Sequence, residues 1–336
     1  MDMIDRSTRR RSTRTVLGAA LTAALSGLGL TGVADAAELR FGHIGTEDTA
    51  YHKGAERFKE RVEELSEEEV TVAIFPNATL GGEGDMFEQQ TAGALDLLIV
   101  APQNITDFAP TAAVFSMPFL YRDEDHWEAV LAGEVGKDIG ARIEEESGVK
   151  VLCYMGGGKR HIVSNKALES IADIEGMKLR TNPTEPLIAA WSALGAEPTV
   201  YNYQEIYTGL QLGAIDGLLN EPEWILRMRF HEVAPHIGIT AHDITVRPMT
   251  IAGTTWNALD EAQQEAVQSA ADEACSYARE LQLELDAESL ETIASEGTSL
   301  YELDKEELMR VTGEATAPVA KKLGLEELIA DIVAVE

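Results

Sequence analysis

Two arginines offer the most definite chemistry in this sequence. Arg160 and Arg180 lie on or beside short apolar stretches of a 336-residue chain that carries 58 acidic against 27 basic residues and a formal charge of −31. A guanidinium is planar, permanently charged and forked, so it holds a carboxylate through two parallel hydrogen bonds where a lysine offers only a point charge. If the two stretches are strands of an open α/β sheet, the crevice beyond their carboxyl ends is where small ligands sit. The same spacing also suits internal ion pairs with an acid such as Glu175 or Glu185. The pattern of residues leaves both uses open.

Other chemistries find less support. The chain has no Gly-x-Ser-x-Gly elbow, no His-Glu-x-x-His and no glycine-rich dinucleotide fingerprint after a strand. Its seven histidines are scattered, and the closest helical pair, His231 and His236, reads as surface or structural. Gly157-Gly158-Lys159 imitates a phosphate loop, but Cys153 stands where the first glycine belongs and Arg160 where a Ser or Thr belongs. The glycines from Gly156 to Gly158 read instead as a flexible crossing between lobes. No catalytic constellation, metal site or cofactor is expected, and the acidic balance disfavours nucleic acid as a partner. Cys153 and Cys275 lack redox or zinc spacing; an apolar strand and an apolar helix stripe favour two separate buried thiols over one disulfide.

The elements that must position the arginines follow from the hydrophobic pattern. Arg6, Arg9, Arg10, Arg11 and Arg14 precede an apolar run from Val16 to Val33 that ends at Ala34-Asp35-Ala36-Ala37, the layout of a cleaved signal peptide over residues 1–36. Export to the periplasm is expected, by the general secretory or the twin-arginine route. The remaining length favours two lobes. Residues 39–44 and 70–75 alternate as strands, and a helix with Ala55, Phe58, Val62 and Leu65 on one face lies between them. Residues 95–100 form a nearly continuous apolar run, as in a parallel strand covered on both faces. The rhythm continues with a helix over 125–146, strands at 149–153 and 160–164, and shorter strands at 176–180, 199–201 and 214–219. A strand over 243–252 returns to the first lobe, and residues 260–296 predict one helix long enough to bridge both lobes.

Several segments occur in an order that identifies a family by resemblance. Gly176-Met177-Lys178-Leu179-Arg180, Leu194-Gly195-Ala196-Glu197-Pro198-Thr199, Tyr203-Gln204-Glu205-Ile206-Tyr207-Thr208-Gly209-Leu210-Gln211 and Ile215-Asp216-Gly217 closely resemble the solute receptors of tripartite ATP-independent periplasmic (TRAP) transporters. Arg160-His161-Ile162-Val163-Ser164-Asn165 and Leu80-Gly81-Gly82-Glu83 agree with it. The resemblance implies an α/β, two-lobed periplasmic binding protein-like fold with a hinge and a long helix spanning both lobes. The lobes would be residues 37–157 plus 246–285 and residues 158–245 plus 286–336. It implies that Arg180 salt-bridges a ligand carboxylate, that Arg160 and Asn220 complete that site, and that Tyr203 packs on the ligand. Glu83 would meet the far end of a polyhydroxylated ligand. Members often read Asp-Gly-x-Glu-Asn-Pro, whereas here Asp216-Gly217-Leu218-Leu219-Asn220-Glu221-Pro222 moves the acid across the asparagine, so Glu221 either faces the cleft or forms its rim. The expected ligand is a small organic acid, a sugar acid such as a uronate ahead of a four-carbon dicarboxylate. The expected partners are the membrane permease subunits, served by a monomer; a sensory ligand-binding protein is the alternative.

Overall fold

A computed structural model describes residues 37–336; the signal-peptide reading falls outside the described residues. Among the described residues, nine strands form one sheet: β1 (Ala37–Gly42), β2 (Val70–Phe75), β3 (Leu97–Ile99), β4 (Val149–Ser164), β5 (Lys178–Thr181), β6 (Glu197–Val200), β7 (Gly217–Asn220), β8 (His236–Ala252) and β9 (Ser299–Glu302). Their order is β2-β1-β3-β8-β4-β7-β5-β6, with β9 parallel to β8. Two parallel blocks, β2-β1-β3 and β7-β5-β6, therefore flank the long antiparallel pair β4–β8. β8 joins the first block through Met249 to Ile251, and β4 joins the second through His161 to Ser164. Each block is the sheet of one lobe, and the long pair runs through both.

The apolar runs read from the sequence cover both faces of each block. Leu97 and Ile99 pack with Phe41, Phe58 and Met249, while the intervening Leu98 packs on the other face with Phe87, Trp127 and Ile139. In the second lobe Leu179 and Leu219 join Trp191 on one face, while Leu218 joins Ile206 and Phe230 on the other. Burying each such side chain stabilises the fold by roughly 1.5–3 kcal/mol.

The long helix is Glu261–Ser295, closed at its start by a capping box of Asp260 with Gln263. Val267, Ala270 and Ala274 pack into the first lobe and Ile293 into the second. Between them the buried face turns polar at Gln282, Asp286 and Ser289. Of the segment 286–336 assigned by resemblance to the second lobe, Leu308 packs with Trp191 there. Ala320, Leu328 and Ile332 instead return to the first-lobe core with Trp127.

Three local expectations change. The two strands 149–153 and 160–164 are one strand, β4, whose register slips between Gly156 and Lys159. Gly156 and Gly157 have φ of 110° and 92°, and a Cβ at Gly156 would meet the Thr245 carbonyl oxygen at 2.6 Å, so glycine lets the chain cross between lobes without ending the ladder. The helix over 125–146 is two helices, Glu124–Ala132 and Glu134–Ser147, parted at Gly133. Cys153 and Cys275 are not separate thiols but form a disulfide. The alanine stripe of the long helix lets it approach β4 closely enough to bring their Cα atoms to 6.2 Å.

That bridge links positions 122 residues apart. Cys153→Ser combined with Cys275→Ser is expected to lower the unfolding free energy by roughly 2–5 kcal/mol. Denaturant unfolding of the oxidised protein and the double variant measures it; coincident midpoints would contradict a stabilising bridge. Among the described residues, no helix is long and apolar enough to cross a membrane.

Candidate ligand-binding site

The strand ends converge on one cleft. Ile44 follows β1, Gln103 and Asn104 follow β3, Arg180 lies near the end of β5 with Asn182 just beyond, and Tyr203 follows β6. All occupy the carboxyl-end side of parallel strands, where an open α/β sheet binds ligands. Glu83 opens the helix Glu83–Thr91 after β2. Arg160 and Arg247 come instead from β4 and β8, where the long pair crosses between the blocks. A cavity of about 320 Å³ lies among Glu83, Gln103, Asn104, Arg180 and Tyr203, and a hollow of about 30 Å³ beside it reaches Arg160, Asn182, Trp224 and Arg247. The larger volume is at the lower end of small-molecule sites, which run from about 300 to 1,000 Å³.

Arg180 is 6% exposed, and no acid lies within ion-pair distance of it among the described residues. Glu185, one of the two candidate internal partners, pairs with Lys322 at 2.5 Å. The Arg180 Nε donates to the Tyr201 carbonyl at 3.1 Å, and the guanidinium carbon stands 5.6 Å from the centre of the Tyr203 ring. Tyr203 is in turn fixed by Asn220, whose Nδ2 donates to its hydroxyl at 2.8 Å. Burial, helped by the nearby charge of Arg160, lowers the Arg180 pKa to about 10, so it remains a cation at neutral pH. Its two terminal nitrogens make no hydrogen bond within the described chain and are free for a bidentate anion.

Arg160 takes the other of the two uses. Its Nε lies 3.4 Å from Glu221, its Nη1 3.8 Å from Asp243, and its Nη2 donates to the Leu219 carbonyl at 3.0 Å. Glu221 is fully buried at the start of the helix Pro222–Arg227 and forms no part of either cavity wall. The acid displaced across Asn220 thus stands behind the arginine. Burial raises Asp243 to about 6, against the opposing pull of Arg160.

Glu83 ends in a third arginine that the sequence reading did not single out. Its Oε1 accepts from Arg247 Nη1 and from the Ala101 amide, both at 3.1 Å, and its Oε2 accepts from Asn104 Nδ2. Arg247 Nε also donates to the Tyr51 hydroxyl at 3.3 Å. Burial works against the Arg247 charge, but Tyr51, Glu83 and Glu221 outweigh it and raise its pKa. The signal was available: Arg247 is a lone cation in the apolar strand 243–252 of an acidic chain, the argument that selected Arg160 and Arg180. Asn182 Nδ2 donates to Asn104 Oδ1 at 3.1 Å, a contact between the two sides of the cleft. Neither asparagine carried a pattern that sequence alone could flag.

One cavity thus meets an unpaired guanidinium, Arg180, and a matched Glu83–Arg247 pair. Comparison with known proteins places the chain in a family. The family model for bacterial extracellular solute-binding protein, family 7 (DctP), matches residues 41–326. A TRAP periplasmic solute-binding protein from Sulfitobacter sp., solved with bound α-D-taluronate, is 32% identical with a TM-score of 0.84, covering 88% of this chain and 97% of that one. One from Roseobacter denitrificans, solved with β-D-glucuronate, is 30% identical with a TM-score of 0.84, covering 89% and 100%. A second Roseobacter denitrificans protein, solved with L-galactonate, is 32% identical with a TM-score of 0.80, covering 86% and 99%. With its two-lobed α/β fold and a family match over most of its length, the chain belongs to the family 7 extracellular solute-binding proteins, the periplasmic solute receptors of TRAP transporters.

Proposed function

We propose that this receptor captures a six-carbon sugar acid, a uronate first, and delivers it as a monomer to the membrane subunits of its transporter after export and removal of residues 1–36. The observation that carries the ligand class is the contrast between two arginines that line one hollow. Arg180 is a buried cation without an acid partner among the described residues, and a buried charge left unpaired is costly until an anion arrives. Arg247 is already matched by Glu83, so that pair offers donors and acceptors with little net charge. Hydroxyl groups suit the pair, and a second carboxylate would meet Glu83. Solved relatives bound to taluronate, glucuronate and galactonate support the same class. Arg160, Asn220 and Glu221 act behind the ligand: Asn220 through the Tyr203 hydroxyl, Glu221 by holding Arg160.

A thermal-shift and calorimetric panel of D-glucuronate, D-galacturonate, D-taluronate, L-galactonate and succinate tests this. A ligand at 100 times its dissociation constant should add about 2.7 kcal/mol to stability. The sugar acids are expected to stabilise and succinate to do so far less; the reverse order would overturn the ligand class. Glu83→Gln is expected to weaken sugar-acid binding roughly 10- to 100-fold, because hydrogen bonds to a charged acceptor contribute about 1.5–3 kcal/mol. Unchanged affinity would remove Glu83 from the ligand's surroundings. Family and fold are those of a receptor, so the ligand should be recovered chemically unchanged after incubation.

A further inference from the structure

A second buried polar cluster lies behind Arg160, where the cleft meets the polar midsection of the long helix. Glu221 and Glu223, at the start of the helix Pro222–Arg227, are 0% exposed, and Asp286 of Glu261–Ser295 is 8% exposed. Asp286 Oδ1 accepts from the Glu223 amide at 2.8 Å, and Glu223 Oε1 accepts from the Ala50 amide at 3.2 Å, so the cluster joins the first-lobe helix Ala50–Leu65 to the second lobe. Among the described residues, both oxygens of Glu221, Oε2 of Glu223 and Oδ2 of Asp286 lack a well-formed hydrogen bond. Gln282, fully buried one helical turn before Asp286, reaches Glu223 and Asp286 only with weak, poorly aligned contacts. Gly158 closes the space: a Cβ there would lie 2.2 Å from Asp286 Oδ2 and 3.3 Å from Glu221 Cγ.

Counter-charge around this cluster is short. Arg160 is shared between Glu221 and Asp243. Arg247 is engaged by Glu83, and Arg227 pairs with Asp48 at 2.5 Å. Burial holds His161 down at about 4 and His242 well below its usual value, leaving both neutral, and raises the Tyr51 phenol. Burial also raises Glu223 to about 7, against the Ala50 amide and the charge of Arg227, and raises Asp286 well above the usual carboxylate range.

We propose that Glu223 and Asp286, packed beside the Glu221–Arg160 pair, form a proton-binding site coupled through that pair to the ligand, so that closing on an acid takes up a proton. The proposal rests on the reading of the cleft as a carboxylate site. A ligand carboxylate draws on the charge of Arg160, leaves the buried acids less compensated, and like charges in a dry site do not all stay ionised. A protonated carboxyl also becomes a donor for one of the orphaned oxygens. The sign follows from the raised values of Glu223 and Asp286. The Glu223 contribution to stability is fully present below the unfolded carboxylate range, near about pH 4, and is lost as pH rises through about 7; Asp286, also raised, acts in the same direction. Ligand affinity and ligand-free stability should therefore both be greater at pH 6 than at pH 8.

Calorimetry with D-glucuronate at pH 7, in two buffers of different ionisation enthalpy, should show uptake of up to about one proton. Affinity should fall roughly three- to tenfold between pH 6 and pH 8, within the limit of about tenfold per pH unit for one proton. Asp286→Asn, an amide in place of the neutral acid, should flatten that dependence. Denaturant midpoints of the ligand-free protein should decline from pH 6 to pH 8, and less so in Glu223→Gln. Affinity independent of pH with no proton uptake overturns the coupling, and a wild-type midpoint that does not decline over this range overturns the proton site itself. If D-glucuronate fails to bind at any pH, the ligand reading falls, and the ligand-free curves still decide the cluster.

Discussion

Arg180→Ala is expected to abolish measurable binding of D-glucuronate while leaving the ligand-free protein at least as stable as the wild type. The two effects separate because this guanidinium is buried without an acid partner in the described chain. Its removal takes away a desolvated charge that the fold does not compensate, and it takes away the group best placed to receive a carboxylate. Truncating one side of a buried charge pair costs about 2–5 kcal/mol, or roughly 30-fold to several thousandfold in dissociation constant. Arg180→Lys should also lose most of the affinity, since an ammonium cannot reproduce the planar fork or the stacking on Tyr203. Calorimetric titration with unfolding curves of the same samples measures both. Wild-type affinity in Arg180→Ala would show that the carboxylate is held elsewhere.

Arg160→Ala is expected to behave differently, losing folding stability as well as affinity. Arg160 lies within ion-pair distance of both Glu221, which is fully buried, and Asp243, whose side chain is 12% exposed. Removing one partner of a buried ion pair costs about 3–5 kcal/mol, because the remaining charge is left without compensation. The loss should shrink as pH falls, because Asp243, raised by burial and held down by Arg160, can then accept a proton. Unfolding curves at pH 5.5 and pH 8 test this; equal stability of variant and wild type at pH 8 would contradict the pairing.

Much of the fold was legible because both faces of each parallel block are covered. Runs such as residues 95–100 and 214–219 read as strands without tertiary information. The long helix was legible to within a residue or two because a capping acid and a regular alanine stripe mark it. The long pair was less so. The glycines at 156–158 read as an interruption, yet β8 supplies a partner on both sides of the bulge and β4 continues through it. The register of that pair, and the packing of the long helix on it, also decide that Cys153 and Cys275 meet. No local pattern encodes a contact across 122 residues.

The two arginines that looked alike in sequence divide once they are placed. Composition flagged Arg160 and Arg180 equally, and both reach the cleft, but among the described residues only Arg160 has acids of its own chain within ion-pair distance. The difference comes from Glu221 and Asp243, which reach Arg160 from β7's end and from β8. Arg247 carried the same compositional signal, but its pairing with Glu83, on a separate helix far earlier in the chain, is not written in the local sequence.

A crystal structure of the protein with D-glucuronate tests the central claim most directly. The expected result places the ligand carboxylate within about 3 Å of both terminal nitrogens of Arg180, with the ring hydroxyls toward Glu83 and Arg247. A carboxylate seated on Arg247 in place of Glu83, with Arg180 still unpartnered, would contradict it.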